Sequence, residues 1–129
     1  MTDDVNGHVN LSVNPDKSIG IQFGKVTGDF RCLSSNLESL KGCPYYVGRV
    51  FWCGNKLKSL QYCPQYVGSD FICSGNPLIT SSFEYRYILV MRYGDIHTGN
   101  QKIDEILERG QREPAFRMQA MKLLDDRKK

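Results

Sequence analysis

Hydrophobic and polar positions along the middle of the chain repeat with a period of 21 residues, with one residue deleted after Cys53. Three segments superpose, GDFRCLSSNLESLKGCPYYV, GRVFWCGNKLKSLQYCPQYV and GSDFICSGNPLITSSF, which begin at residues 28, 48 and 68. A phenylalanine and a cysteine two positions apart recur in each segment, an alternation typical of a strand with one buried face. Because a period of about 20 to 29 residues is that of leucine-rich strand-and-return units, the pattern predicts a stacked solenoid.

The repeats also predict which side chains form the core. Strand alternation turns the phenylalanines and cysteines inward, where cysteine acts as a small hydrophobic residue. Asn55 and Asn76, with Ser35 substituting in the first unit, can satisfy turn backbone groups that would otherwise be buried unpaired. In an alternative register of the middle unit, Val50 and Trp52 face inward instead. The predicted interior comprises Phe30, Cys32, Leu37, Leu40, Phe51, Cys53, Leu57, Leu60, Phe71 and Cys73, and Leu78 matches Leu37 and Leu57 in the repeat frame.

The segment before the repeats keeps part of their pattern. Val9 to Asn14 retains two inward positions and the asparagine, which indicates a degenerate N-terminal unit. We therefore expect a single domain. Residues 1–27 form an N-terminal cap and degenerate repeat, residues 28–80 form the leucine-rich-like repeats, and residues 81–129 form a C-terminal cap with one or two helices. The fold class expected is a mainly β solenoid of short parallel strands, about 3–4 coils, with a mixed α/β or α-helical cap.

The C-terminal third loses the repeat frame. The run FEYRYILVMRY fits either a closing strand or a buried helix, and DIHTG reads as a turn-like link. The segment NQKIDEILERG predicts a helix that ends at Gly110. A second helix starts near Pro114 and places Phe116, Ala120 and Leu123 on one face.

The net charge and the spacing of the cysteines argue against several classes of function. The chain has 17 basic and 14 acidic residues, a net charge of +3, which predicts no strong attraction to nucleic acid or membranes from the overall field. The sequence shows neither a signal peptide nor an apolar run long enough to span a membrane, so we expect a cytoplasmic protein. Five cysteines without a CxxC pair argue against a disulfide framework and a zinc site. We expect reduced, buried thiols, no metal and no cofactor.

The runs SSNLESLKGCPYYVG and GNKLKSLQYCPQYVG resemble the short Cys-Pro-containing leucine-rich-like repeats of proteins from large tailed bacteriophages and some bacteria. The resemblance covers about residues 7–78. It implies a solenoid, a phage-encoded protein located in the host cytoplasm, and protein binding as its role. The partner it implies is a bacterial host protein, such as a defence or regulatory factor. It supplies no catalytic residue.

Strand alternation predicts one outward-facing stripe on the repeats. If the phenylalanines point inward, Arg31, Trp52 and Ile72 line up on the opposite face, with Asp29 and Asp70 beside them. An exposed tryptophan flanked by arginine and isoleucine has the composition of an interface hot spot. The hypothesis is therefore a non-enzymatic protein-protein interaction module. In the alternatives, Trp52 is covered by the C-terminal segment or by a second copy of the chain in a homodimer.

Two other function classes stay open. Basic and aromatic side chains in the return segments predict single-stranded nucleic-acid binding by stacking and phosphate contact, although Glu38 and Asp70 interrupt the patch. An enzyme would use His97 or a cysteine, but no partner near His97 in the sequence completes a catalytic group, and His8 lies far away. The residues of the nucleic-acid alternative are Lys41, Tyr45, Arg49, Lys56, Lys58 and Tyr62.

Overall fold

A computed structural model of the chain describes residues 2–11, 19–32, 37–53 and 56–127. The predicted solenoid is confirmed, because parallel strands wind through about four coils and three short helices form the C-terminal region. Two predicted rungs of the turn ladder, Ser35 and Asn55, lie outside the described residues. No helix in the described ranges is both long and apolar enough to cross a membrane.

The first four coils each contribute one strand to each of two parallel sheets, and a ninth strand extends one of the sheets. The four-stranded sheet has the order β1 (Asp3–Val5), β3 (Phe23–Val26), β5 (Tyr46–Val47) and β7 (Tyr66–Val67). The five-stranded sheet has the order β2 (Val9–Asn10), β4 (Phe30–Cys32), β6 (Phe51–Cys53), β8 (Asp70–Ile72) and β9 (Asp95–His97). The repeat pattern predicted strands only at the second sheet, since β5 and β7, the strands of the first sheet that lie within the repeats, have two residues each and are too short to show an alternation.

The register of the five-stranded sheet stacks the predicted core residues on one another. Phe30 pairs with Phe51, and Phe51 pairs with Phe71, with ring centroids 5.8 and 5.0 Å apart. All three rings are fully buried, and Ile96 continues the row in β9. Burial of each ring contributes roughly 1.5–3 kcal/mol. The inward register of Phe51 and Cys53 is therefore correct, and the alternative that buries Val50 and Trp52 is wrong.

A glycine marks the corner between the two sheets in successive coils. A Cβ atom built on Gly48 would overlap the carbonyl oxygen of Thr27, and one built on Gly68 would overlap that of Gly48. Gly94 occupies the same corner in the last coil, against the carbonyl oxygen of Ser69. The coils approach each other too closely at this corner for any side chain, so glycine is required there.

The turn after β8 is held by the predicted asparagine. The Oδ1 atom of Asn76 accepts a hydrogen bond from the backbone N–H of Leu57 at 3.2 Å, and its Nδ2 donates to the carbonyl of Cys73 at 3.0 Å. Asn76 is 7% exposed. The prediction that this side chain satisfies buried backbone groups is confirmed at this rung.

The C-terminal cap is built from a 3-10 turn (Ser82–Tyr85), α1 (Arg86–Leu89), α2 (Gln101–Arg112), a second 3-10 turn (Pro114–Phe116) and α3 (Arg117–Leu124). The run FEYRYILVMRY thus forms a turn and a helix rather than a closing strand. Glu84 ties this turn to the last coil, since its Oε1 accepts from the Ser59 hydroxyl at 2.6 Å and from the Leu60 N–H at 3.0 Å.

Three expectations for this region were wrong. The link DIHTG contains β9, which pairs with β8 and adds a fifth strand. Gly110 does not end α2, because it lies buried inside the helix against the Leu89 side chain, and the helix ends instead just before Pro114. In α3 the buried face contains Leu124 in place of Leu123, which is 54% exposed.

Leu78 also departs from the repeat frame. It is 47% exposed, whereas Leu37 and Leu57 are fully buried. The chain leaves the solenoid after Asn76, and Ile79 rather than Leu78 packs partly against the core. The frame therefore fails where the third repeat turns into the cap.

Candidate protein-binding face

The outward side of the five-stranded sheet carries one residue from each strand in direct register. We call the five residues the strand-face row. The backbone pairing places each residue beside the next, and the order across the sheet is Asn10, Arg31, Trp52, Ile72 and His97. The predicted stripe of Arg31, Trp52 and Ile72 is thus contiguous and forms the middle of the row.

The centre of the row is apolar and its ends are polar. Trp52 and Ile72 are partly exposed on adjacent strands, and Val50 is partly exposed at the start of β6. Arg31 borders Trp52 on one side and His97 borders Ile72 on the other, with side-chain exposures of 45% and 50%. Trp52 is neither a core residue nor enclosed by the described part of the cap.

Asp29 is fixed at the edge of the row. Its side chain is 14% exposed, one carboxylate oxygen accepts from the backbone N–H of Val50 at 3.0 Å, and the other lies 3.1 Å from the Nη2 atom of Arg31. His8 lies next to the same carboxylate, with 3.7 Å between its Nδ1 and Oδ2. This ion pair restrains the side chain of Arg31, the register partner of Trp52, and so reduces the entropy that Arg31 would lose on binding.

Asp70 has a similar partner at the other end. Its Oδ2 atom lies 3.6 Å from the Nε2 atom of His97, and its side chain is 36% exposed. The sequence reasoning treated His97 only as a catalytic candidate and did not place it on this face. A usable signal was present, because Gly94-Asp95-Ile96-His97 repeats the glycine corner and the alternation that begin each earlier unit.

The residues proposed for nucleic-acid binding occupy different parts of the coil. Arg49 lies at the glycine corner between β5 and β6, Lys56 and Lys58 follow β6, and Lys58 pairs with Glu38 at 3.2 Å. Lys41, Tyr45 and Tyr62 lie in the turns before β5 and β7, where both tyrosines are about half exposed. The backbone therefore does not align these six residues on one sheet face.

The four-stranded sheet instead carries an aromatic ladder that the sequence reasoning did not assemble. The rings of Tyr46 and Tyr66 stack with centroids 4.6 Å apart and planes 7° from parallel. The Nζ atom of Lys25 lies 4.6 Å from the centre of the Tyr46 ring, and Arg92 pairs with Tyr66 through a parallel bridge. Because Lys25 and Arg92 lie outside the clear repeats, their place in this ladder was not visible.

Four of the five cysteines, Cys43, Cys53, Cys63 and Cys73, are poor nucleophiles in this environment. All five are free thiols, four of them buried. Burial raises the pKa of the Cys63 thiol to about 12, and burial together with neighbouring cysteines raises the pKa values of Cys43 and Cys53 well above the usual range. A thiol that stays protonated at neutral pH does not attack a substrate.

Both histidines make contacts within the fold. The Nδ1 atom of His8 accepts a hydrogen bond from the backbone N–H of Asp29 at 2.9 Å, and His97 contacts Asp70. Within residues 2–11, 19–32, 37–53 and 56–127, no group of three His, Cys, Asp or Glu side chains is arranged to hold a metal ion.

No protein-family model matches the chain, and no curated protein or solved structure matches it at a significant level.

Proposed function

We propose that this protein is a non-enzymatic binding module that docks a protein partner on the strand-face row. The resemblance of the repeats to those of large tailed phages adds that the partner is a bacterial host protein, whose surface is occupied and whose activity is thereby modulated. Solenoids present extended sheet surfaces that suit this kind of binding.

The main support for the proposal is the strand register that pairs Arg31 with Trp52 and Trp52 with Ile72. Direct pairing places a guanidinium, an indole and an aliphatic side chain on three adjacent strands, about 4.8 Å apart from one strand to the next. Tryptophan and arginine are the residues most enriched among binding hot spots, and a polar rim that excludes water strengthens such a centre. Asp29 and Asp70 supply this rim on the row's own sheet.

The same arrangement predicts which chemical groups the partner presents to the strand-face row. Opposite Trp52 and Ile72 it presents an apolar patch, because an unpaired polar group buried there would lose its hydration. Opposite Asp70 and Asp95 it presents basic or hydrogen-bond-donating groups. The carboxylate oxygens of Asp29 are already engaged by Arg31 and Val50, so within the rim Asp29 orients Arg31 and is not the acceptor for the partner's donors.

The test is affinity capture from bacterial lysate, with and without nuclease, using the wild type, Trp52→Ala and the matched control Tyr45→Ala. Tyr45 is an exposed aromatic residue that lies away from the row. Circular dichroism first establishes that both variants fold. We expect one stoichiometric protein that resists nuclease, is kept by Tyr45→Ala and is lost by Trp52→Ala. With that protein purified, Trp52→Ala should weaken the affinity by about 2 kcal/mol or more, roughly 30-fold.

Two results would contradict the proposal. Equal capture by Trp52→Ala and Tyr45→Ala would move the site away from the strand-face row. Recovery of nucleic acid alone, with an affinity that falls steeply with salt, would favour the lysine and tyrosine residues of the turns instead.

A further inference from the structure

A cavity of about 310 Å³ lies where the cap meets the end of the four-stranded sheet. Tyr66 and Arg92 line it from the last rungs of the sheet, while Gln111 of α2 and Arg117 of α3 line it from the cap. Gly68 and Gly94, two of the corner glycines, form part of its wall and add no side chain. The cavity is distinct from the strand-face row, which belongs to the other sheet.

The cavity is cationic. Two of its lining side chains are guanidiniums, and none of the lining residues in the described ranges is Asp or Glu. Among the described residues neither Arg92 nor Arg117 forms an ion pair, whereas Arg31, Arg109 and Arg127 each have a carboxylate oxygen within 3.3 Å. Two uncompensated guanidiniums on one cavity favour an anion between them.

Arg117 and Gln111 each keep hydrogen-bond donors that are not used by the described residues. The Nε atom of Arg117 donates to the carbonyl of Gly110 at 3.1 Å, which leaves the two terminal nitrogens for a ligand. The Oε1 atom of Gln111 accepts from the backbone N–H of Tyr93 at 2.8 Å, so its amide nitrogen is the group that remains. Guanidinium and amide donors of this kind match the oxygens of a phosphate.

The lining residue Tyr93 carries a buried hydroxyl. It lines the same cavity, is 7% exposed, and its hydroxyl is a buried polar atom without a hydrogen-bond partner among the described residues. Glu108 and Asp104 act on Tyr93 electrostatically from α2, but neither of them lines the cavity. Because the strongest charges that act on the Tyr93 hydroxyl come from residues outside the cavity, the ligand contacts are assigned to Arg92, Arg117 and Gln111 alone.

We propose that this cavity binds the phosphate group of a small phosphomonoester. A phosphate dianion balances two guanidiniums where a monocarboxylate balances one. The volume lies at the lower end of the range for small-molecule sites, so it suits a phosphate with a compact organic group. Because Arg92 belongs to the solenoid and Arg117 to the cap, the ligand would join the two regions.

The experiment is an NMR titration of the full chain with inorganic phosphate, phenyl phosphate and acetate at matched ionic strength. We expect saturable shifts of the amides of Gly68, Gly94 and Gln111 with both phosphates and much weaker shifts with acetate. Arg92→Gln and Arg117→Gln should each weaken phosphate binding at least about tenfold, the loss expected for a charged hydrogen bond. The control Arg112→Gln, an exposed α2 arginine that does not line the cavity, should change it less than twofold.

Arg92→Gln keeps the test decisive if Arg117→Gln loosens the cap, because Arg92 is exposed and its side chain makes no hydrogen bond to the cap among the described residues. An absence of saturable shifts would overturn the proposal. So would equal binding by acetate, or phosphate binding that Arg92→Gln leaves unchanged. Trp52→Ala should leave phosphate binding intact, so the two proposals fail independently.

Discussion

The chain turns at two corners in each coil, and a different structural constraint acts at each corner. At the glycine corner, formed by Gly28, Gly48, Gly68 and Gly94, the backbone of the neighbouring coil occupies the space of a side chain. At the corner before β5 and β7, which we call the left-handed corner, φ is +97° at Gly42 and +73° at Tyr62. The first corner excludes side chains through a contact between coils. At the second, a Cβ on Gly42 would also meet the backbone oxygen of Ile21, whereas Tyr62 shows that one coil later the positive φ is compatible with a side chain, at a cost.

The largest loss of stability should come from placing a side chain at the glycine corner. In Gly48→Ala the new methyl group meets the backbone oxygen of Thr27, which cannot move without shifting a whole coil. We expect the free energy of unfolding to fall by about 3 kcal/mol or more, the upper end of overpacking effects. Urea denaturation followed by circular dichroism measures the change.

Gly75→Ala is the matched control for this substitution. Gly75 has φ +83° but no atom within 4 Å of a built Cβ, so only the dihedral penalty of about 1–2 kcal/mol applies. Equal losses in the two variants would show that the contact between coils does not limit the glycine corner.

The turn after β8 is held in a third way, by a side chain. In Asn76→Ala the N–H of Leu57 and the carbonyl of Cys73 lose their partners in a buried site. We expect a loss of about 1–3 kcal/mol, the cost of leaving such groups unsatisfied. The same denaturation experiment measures it, with the exposed Asn10→Ala as control at less than about 0.5 kcal/mol. A loss as small as that of the control would mean that the backbone groups are satisfied without Asn76.

These corners also show which parts of the fold can be predicted from the sequence. The phenylalanine row and the Asn76 turn were predictable, because repetition places the same side chain in the same environment several times. The glycine corner was visible as a recurrent residue, but its cause was not, since the clash involves the carbonyl of a residue about 20 positions earlier.

The cap and the candidate site were predictable only in part. Two helices followed from their own periodicity, whereas β9 was missed because Gly94 follows Gly68 by 26 residues, which places its glycine corner and alternation outside the 21-residue period. Arg31, Trp52 and Ile72 followed from alternation alone. The pairing of Tyr66 with Arg92 and the approach of Arg117 depend on how the cap docks on the solenoid, and no local pattern encodes that contact.

The smallest change in stability should come from relieving the backbone strain at the left-handed corner. Tyr62 is the one non-glycine residue with positive φ in the described ranges, and its side chain is 52% exposed. In Tyr62→Gly the dihedral strain of about 1–2 kcal/mol disappears. The entropy that glycine loses on folding offsets about 0.5–1 kcal/mol of this gain, so we expect stability to stay level or rise by at most about 1.5 kcal/mol.

Tyr45→Gly removes a comparable side chain, 56% exposed, from a position of negative φ. It carries the same entropy cost without any relief, so it should destabilise the protein by about 0.5–1 kcal/mol. The difference between the two variants in urea denaturation therefore isolates the strain at Tyr62. If both variants lose the same stability, the ring of Tyr62 contributes as much through the groove it shares with Tyr87 and Val90 as its backbone costs. In that case the left-handed corner, like the glycine corner, is held by contacts beyond its own residues.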